Sequence, residues 1–92
     1  MAIWIPPFGP MREVYPKDRA AGFSLEELCD LIECTVIETV QLADGRRMAR
    51  DVEGRRKGLP FNPRATLLYA VRRPTGWGVV GNVVIGSPAE IQ

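Results

Sequence analysis

The pattern of apolar and polar residues near the N-terminus predicts a β-hairpin. Residues Ala2–Ile5 are apolar and β-prone, and Met11–Tyr15 alternates between two faces, as a half-buried strand does. The segment Pro6–Pro10 between them holds three prolines and a glycine, which indicates a stiff turn. Because proline has no backbone N–H to donate to a neighbouring strand, we expect this hairpin at an edge of a sheet.

The next pattern has the period of a helix. Ser24 followed three residues later by Glu27 is typical of a capping box, in which each side chain binds the other residue's backbone amide. Acidic residues in the first turn also suit the positive end of the helix dipole. Apolar residues then recur on one face, at Leu25, Leu28, Cys29 and Ile32. The sequence therefore predicts a helix over Leu25–Glu33.

A second hairpin is predicted in the middle of the chain. Thr35–Leu42 is rich in β-branched residues, and Asp44-Gly45 is a strong signal for a tight turn between two strands. Arg46–Val52 is the expected returning strand, and either Met48 or Ala49 should supply its core-facing side chain.

The remaining chain predicts a loop and a second helix. Glu53–Asn62 contains two glycines, a proline and three adjacent basic residues, so we expect a loop without regular structure. Asn62 followed by Pro63 is a favourable helix start, because asparagine caps free amides and proline tolerates the first helical position. This helix is predicted to end near Val71.

The most apolar run, Val79–Ile85, fits a strand buried on both faces in the middle of the sheet. Gly81 inside it is a typical position for a bulge. With 92 residues there is room for one core. We therefore predict one domain, residues 1–92, of the α+β class: a single-layer sheet of about five strands with two helices packed on it, in the order β-β-α-β-β-α-β.

The overall composition is that of a globular protein, with 46% hydrophobic and 25% charged residues. No apolar run approaches the roughly 20 residues that span a bilayer, so we expect no membrane association and a cytoplasmic location. Cys29 and Cys34 fit that compartment as two reduced thiols. A reactive thiol or an intermolecular disulfide is the alternative.

The charges are segregated although the net charge is only +1. Residues 1–45 hold three basic and eight acidic side chains, whereas residues 46–73 hold nine basic and two acidic ones. Eight of those nine are arginines, whose planar fork suits phosphate and carboxylate groups. The balanced total argues against a general nucleic-acid binder.

Two interpretations of the basic stretch stay open. The first is an anion site, with ligand-binding residues Arg46, Arg50, Arg55, Arg56, Lys57 and Arg64. The second is a solvated face whose charges pair with the acidic first half of the chain.

The sequence offers little for catalysis. It contains no histidine, which removes the usual general base near neutral pH and the usual metal ligand. It also lacks a phosphate-binding loop, a dinucleotide fingerprint and a nucleophile elbow. We therefore expect no enzymatic activity, no cofactor and no metal.

Aromatic residues near the N-terminus suggest a surface for binding a partner protein or a second copy of the chain. Trp4 and Phe8 are candidate interface residues for a partner or for self-association into a homo-oligomer, because large rings often anchor interfaces. Trp4 and Trp77 are also candidates for stacking on a base, although a core or interface role is the favoured interpretation for both.

Several segments in order resemble a family of small bacteriophage and mobile-element proteins classed as a domain of unknown function. The segments are Phe23–Leu28, Leu42–Gly45, Glu53-Gly54, Gly58-Leu59-Pro60-x-Asn62, Ala65-Thr66, Leu68-Tyr69 and Val80–Ile85. The Gly-Leu-Pro-x-Asn segment leading into Ala-Thr is the distinctive part, and the segments span roughly three quarters of the chain. The family usually has two glycines where this chain has Glu33-Cys34.

The resemblance implies a phage or prophage accessory protein, and it carries over no catalytic residues. The leading hypothesis is a non-enzymatic protein that inhibits a host defence by binding either an anionic, nucleotide-like ligand or a defence protein. The alternative is an interaction or self-assembly module that uses the edge of the N-terminal hairpin and has no small-molecule ligand.

Overall fold

The computed structural model describes residues 2–70 and 78–91. Its strands are β1 (Ala2–Ile5), β2 (Arg12–Val14), β3 (Ile37–Gln41), β4 (Arg47–Asp51) and β5 (Val83–Gly86), and its helices are α1 (Leu25–Ile32), α2 (Gly54–Lys57) and α3 (Pro63–Ala70). The strands form one antiparallel sheet in the order β2-β1-β5-β4-β3. The predicted α+β class and the five-stranded sheet are confirmed.

Strand β5 occupies the centre of the sheet, as predicted from its apolar run. It pairs with β1 on one side and with β4 on the other. It begins at Val83 rather than Val79, because Gly81 has a left-handed backbone with φ of 76° and interrupts the extended chain. Val80, before this interruption, forms an isolated bridge with Phe61.

Helix α1 covers one face of the sheet. Its predicted capping box is present, since the Ser24 hydroxyl accepts from the Glu27 amide and the Glu27 carboxylate accepts from the Ser24 amide. The helix ends at Ile32, and Glu33 takes a left-handed conformation with φ of 63°. The cluster beneath it contains Ala2, Phe23, Leu28, Ile32, Ala49, Val84 and Ile91.

Helix α3 covers the opposite face. The predicted cap is present, because the Asn62 side-chain oxygen accepts from the Ala65 amide at 3.1 Å. The cluster on this face contains Ile5, Leu42, Met48, Ala65, Tyr69, Val79, Val83 and Ile85. Because neighbouring strand residues point to opposite faces, Met48 belongs to this cluster and Ala49 to the other, so both supply core side chains. The predicted end of α3 near Val71 lies outside the described residues.

Both predicted hairpins form; β1 has the predicted bounds, whereas β2, β3 and β4 are shorter than predicted. In the second hairpin Val40 lies opposite Met48. In the first, Ile3 lies opposite Glu13, and β2 is an outer strand of the sheet. The expected edge position of the N-terminal hairpin is therefore confirmed.

The prediction of an irregular loop over Glu53–Asn62 was wrong in part, because α2 forms within it. The Lys57 amide donates to the Glu53 carbonyl at 3.0 Å, which closes the helical turn. Charged side chains tie this turn to its surroundings: Lys57 pairs with Asp51, and Arg56 pairs with Glu53. These contacts stabilise a segment that its glycines and proline would otherwise leave irregular.

Candidate functional site

A cleft of about 280 Å³ opens where the start of β3 and the end of β4 meet α2. We call it the arginine cleft. Its described lining residues are Glu38, Arg50, Asp51, Val52, Arg55, Gly78 and Val80. It joins three parts of the chain that are far apart in sequence: the second hairpin, the short helix α2 and the segment before β5.

Arg50 is held at one wall of the cleft by the sheet and by α3. Its position in β4 places it opposite Glu38, whose carboxylate accepts from Arg50 Nη2 at 3.0 Å. Its guanidinium carbon lies 5.4 Å from the centre of the Tyr69 ring, within the range of a cation–π contact. The side chain is only 15% exposed. The Arg50 Nε is buried and has no acceptor among the described residues.

Arg55 approaches the cleft from α2. Its Nη2 donates to the carbonyl oxygen of Gly78 at 2.9 Å, which connects α2 to the segment before β5. Gly54 allows α2 to lie this close, because a Cβ atom there would be 2.9 Å from a methyl group of Val80. The hydrogen bond orients Arg55 along the cleft wall.

The two carboxylates of the cleft differ in their burial and in the hydrogen bonds that they accept. Asp51 is almost fully buried and accepts from Lys57 Nζ at 2.7 Å and from the Glu53 amide at 2.9 Å. Its hydrogen bond to Lys57 raises the pKa of that ammonium group. Glu38 is 41% exposed and forms an ion pair with Arg50. An incoming anion would therefore compete with Glu38, whereas Asp51 is occupied by Lys57.

The five arginines and one lysine predicted from sequence do not converge on one site. Arg50 and Arg55 line the cleft, and Lys57 lies behind it on Asp51. Arg46 pairs with Asp44 at 2.8 Å in the turn of the second hairpin. Arg56 is on the exposed side of α2, where it pairs with Glu53.

Arg64 has a different role from the one predicted. Its Nη2 donates to the carbonyl oxygens of Pro6 and Gly9, at 2.7 and 2.6 Å. These bonds fix the proline-rich turn of the N-terminal hairpin against α3. Arg64 is therefore placed as a structural residue and not among the residues that line the arginine cleft.

The two predicted interface residues also differ in their surroundings. Trp4 is partly buried, its indole Nε1 donates to the Leu31 carbonyl at 2.8 Å, and the Arg12 guanidinium lies 4.6 Å from its ring. Phe8 is 74% exposed. It borders a groove of about 430 Å³ that also includes Pro7, Leu59 and Pro60. Trp77 lies outside the described residues.

Sequence reasoning missed several residues of the cleft. Glu38 could have been found, because the Asp44-Gly45 turn sets the register of the second hairpin and places Glu38 opposite Arg50. Gly78 and Val80 carry no comparable signal, and neither does Tyr69, whose ring contacts Arg50. Their positions depend on how α3 and the segment before β5 pack onto the sheet.

Comparisons with protein-family models, with curated proteins and with solved structures gave no significant match. The resemblance to a phage family therefore stays a prediction. Within residues 2–70 and 78–91, no helix has the length and apolar character that crossing a membrane requires. The same residues contain no group of three or more potential metal-binding side chains.

Proposed function

We propose that this protein acts by binding, without catalysis, and that the arginine cleft accepts the anionic end of a nucleotide-like ligand. In the setting that the family resemblance implies, it is a phage or prophage accessory protein. Its target is then a nucleotide signal of a host defence, or a defence protein that presents an acidic group.

The observation that carries the proposal is the convergence of Arg50 and Arg55 on one cleft. Two guanidinium groups can bind a phosphate or carboxylate with several charge-assisted hydrogen bonds. Arg50 is mostly buried, so its charge acts in surroundings that screen it less than water does. Small-ligand pockets usually measure about 300–1,000 Å³, so this cleft suits a phosphate and part of a ligand.

Isothermal titration calorimetry with adenosine monophosphate as the ligand tests the proposal. We expect Arg55→Ala to weaken binding by about tenfold to a hundredfold, because a hydrogen bond to a charged group contributes about 1.5–3 kcal/mol. Arg50→Lys keeps the charge but loses the planar fork, and it should weaken binding as well. Thermal melting of each variant checks that the fold is retained.

Matched controls make the outcome specific. Arg46→Ala and Arg56→Ala remove the same charge outside the cleft lining and should leave the affinity unchanged. Glu38→Gln removes the carboxylate that competes for Arg50 and should tighten binding. Equal weakening by Arg46→Ala and Arg55→Ala would show a diffuse basic surface, and unchanged affinity in both Arg55→Ala and Arg50→Lys would remove the cleft as the site.

The exposure of Phe8 supports the second candidate function, an interaction module at the N-terminal hairpin. Under that hypothesis Phe8→Ala converts an assembly to monomers. Leu67 on α3 is 73% exposed, so Leu67→Ala is a control for losing an exposed apolar side chain elsewhere. Native mass spectrometry measures the oligomeric state of both variants, and a monomeric wild-type protein would exclude self-assembly.

A further inference from the structure

The end of α1 places the two cysteines of the chain side by side. The carbonyl of Cys29 accepts from the Glu33 amide at 2.7 Å and from the Cys34 amide at 3.1 Å. The second of these bonds, with the left-handed Glu33 between, is the arrangement that ends many helices. In it, the side chains at the positions of Cys29 and Cys34 commonly contact each other.

The surroundings of the two thiols differ. Both are free and partly buried, and Cys34 packs against the core cluster beneath α1. Burial raises the pKa of Cys34 to about 11, and the nearby Asp51 carboxylate and Cys29 thiol add to this shift. Cys34 therefore stays protonated at neutral pH, and we expect Cys29 to react first.

We propose that Cys29 and Cys34 form a reversible dithiol pair that a small-molecule disulfide oxidises to an intramolecular disulfide. A disulfide needs Cα atoms about 4.4–6.8 Å apart, and residues joined by an amide-to-carbonyl hydrogen bond can meet this requirement while the helix stays folded. Asp51 lies near Cys34 and also lines the arginine cleft, but the test of this modification site does not depend on ligand binding.

The chemistry proceeds in two exchanges. The Cys29 thiolate attacks one sulfur of the small disulfide, whose S–S bond breaks and releases one thiolate. A base in solution then removes the Cys34 proton, and Cys34 attacks the Cys29 sulfur. That step releases the second thiolate and forms the Cys29–Cys34 bond. The protein loses two protons and two electrons, and the small disulfide becomes two thiols.

Intact-mass spectrometry of the full chain treated with oxidised glutathione tests the proposal. The wild-type protein should lose the mass of two hydrogen atoms, stay monomeric and resist labelling by iodoacetamide, and dithiothreitol should reverse the change. Cys34→Ser should stop at one glutathione adduct on Cys29. Cys29→Ser should react more slowly than Cys34→Ser, because the raised pKa of the remaining Cys34 thiol keeps it protonated.

Three results would overturn the proposal. The wild-type protein could keep one or two glutathione adducts, it could form disulfide-linked dimers, or it could retain two thiols. For the last result, a peptide with the Cys29–Cys34 sequence, treated in parallel, shows that the oxidant was active. Near-ultraviolet circular dichroism of both variants confirms that their cores are intact.

Discussion

Removal of the Asn62 side chain should destabilise the fold more than its small size suggests. The residue is fully buried. Its amide nitrogen donates to the Ile5 carbonyl at 3.0 Å and to the Gly81 carbonyl at 2.9 Å, and its oxygen caps α3 through the Ala65 amide. One side chain therefore joins β1, the segment before β5 and the start of α3.

The expected loss follows from these three bonds. An asparagine cap contributes about 1 kcal/mol, and each buried carbonyl that loses its donor costs about 1–3 kcal/mol. We expect Asn62→Ala to lower the free energy of unfolding by about 3–7 kcal/mol. Native proteins are stable by only about 5–15 kcal/mol, so this loss is a large fraction of the total stability.

Urea unfolding of Asn62→Ala beside Asn82→Ala measures this effect. Asn82 is a matched control, because its amide makes one exposed hydrogen bond, to the Glu33 carboxylate at 2.9 Å. Asn82→Ala should cost less than about 1 kcal/mol, and the slope of stability against urea should be unchanged in both variants. Equal losses in the two variants would refute the reasoning, because burial and the number of bonds would then not matter.

Three further changes test other parts of the fold by the same unfolding measurement. Trp4→Phe keeps most of the ring but loses the indole hydrogen bond to α1, and should cost about 1–2 kcal/mol; no change would show that this bond is dispensable. Met48→Ala empties a fully buried position and should cost about 2–5 kcal/mol, whereas Leu67→Ala at the surface should change stability by less than about 0.5 kcal/mol. The backbone amide of Ser24 holds the pKa of Glu27 below its ordinary value of 4.5. The stabilisation by this carboxylate is present above pH 4.5 and is lost as the pH falls through the lowered pKa. Glu27→Gln should therefore have a lower free energy of unfolding at neutral pH, and that free energy should fall less than in the wild-type protein when the pH is lowered. The same dependence on acidic pH in both proteins would contradict this.

Local signals in the sequence predicted much of the fold. The capping box at Ser24, the start of α3 at Asn62 and the central position of β5 were all correct, because neighbouring residues or a long apolar run determine each of them. Helix α2 was missed. Its turn depends on the contact between Lys57 and the buried Asp51, which composition alone does not reveal.

The candidate site was predictable only in part. Sequence located an arginine-rich stretch, and two of its residues, Arg50 and Arg55, line one cleft. The sequence does not show that Arg64 has a different role from Arg50 and Arg55. The Arg64 guanidinium donates to carbonyls of the N-terminal turn, which is more than 50 residues away in the sequence. Likewise, Trp4 and Phe8 looked equivalent, although the hydrogen bond of Trp4 to α1 depends on how that helix packs.

The most direct test of the arginine cleft is to titrate the ¹⁵N-labelled protein with adenosine monophosphate and to monitor its chemical shifts by nuclear magnetic resonance. We predict that the backbone amides of Val52, Gly78 and Val80 and the side-chain Nε–H signals of Arg50 and Arg55 shift together along one binding curve. The Nε–H signal of Arg46 should stay in place. Shifts of equal size at all arginines, shifts confined to the groove beside Phe8, or no shifts would contradict the proposed site.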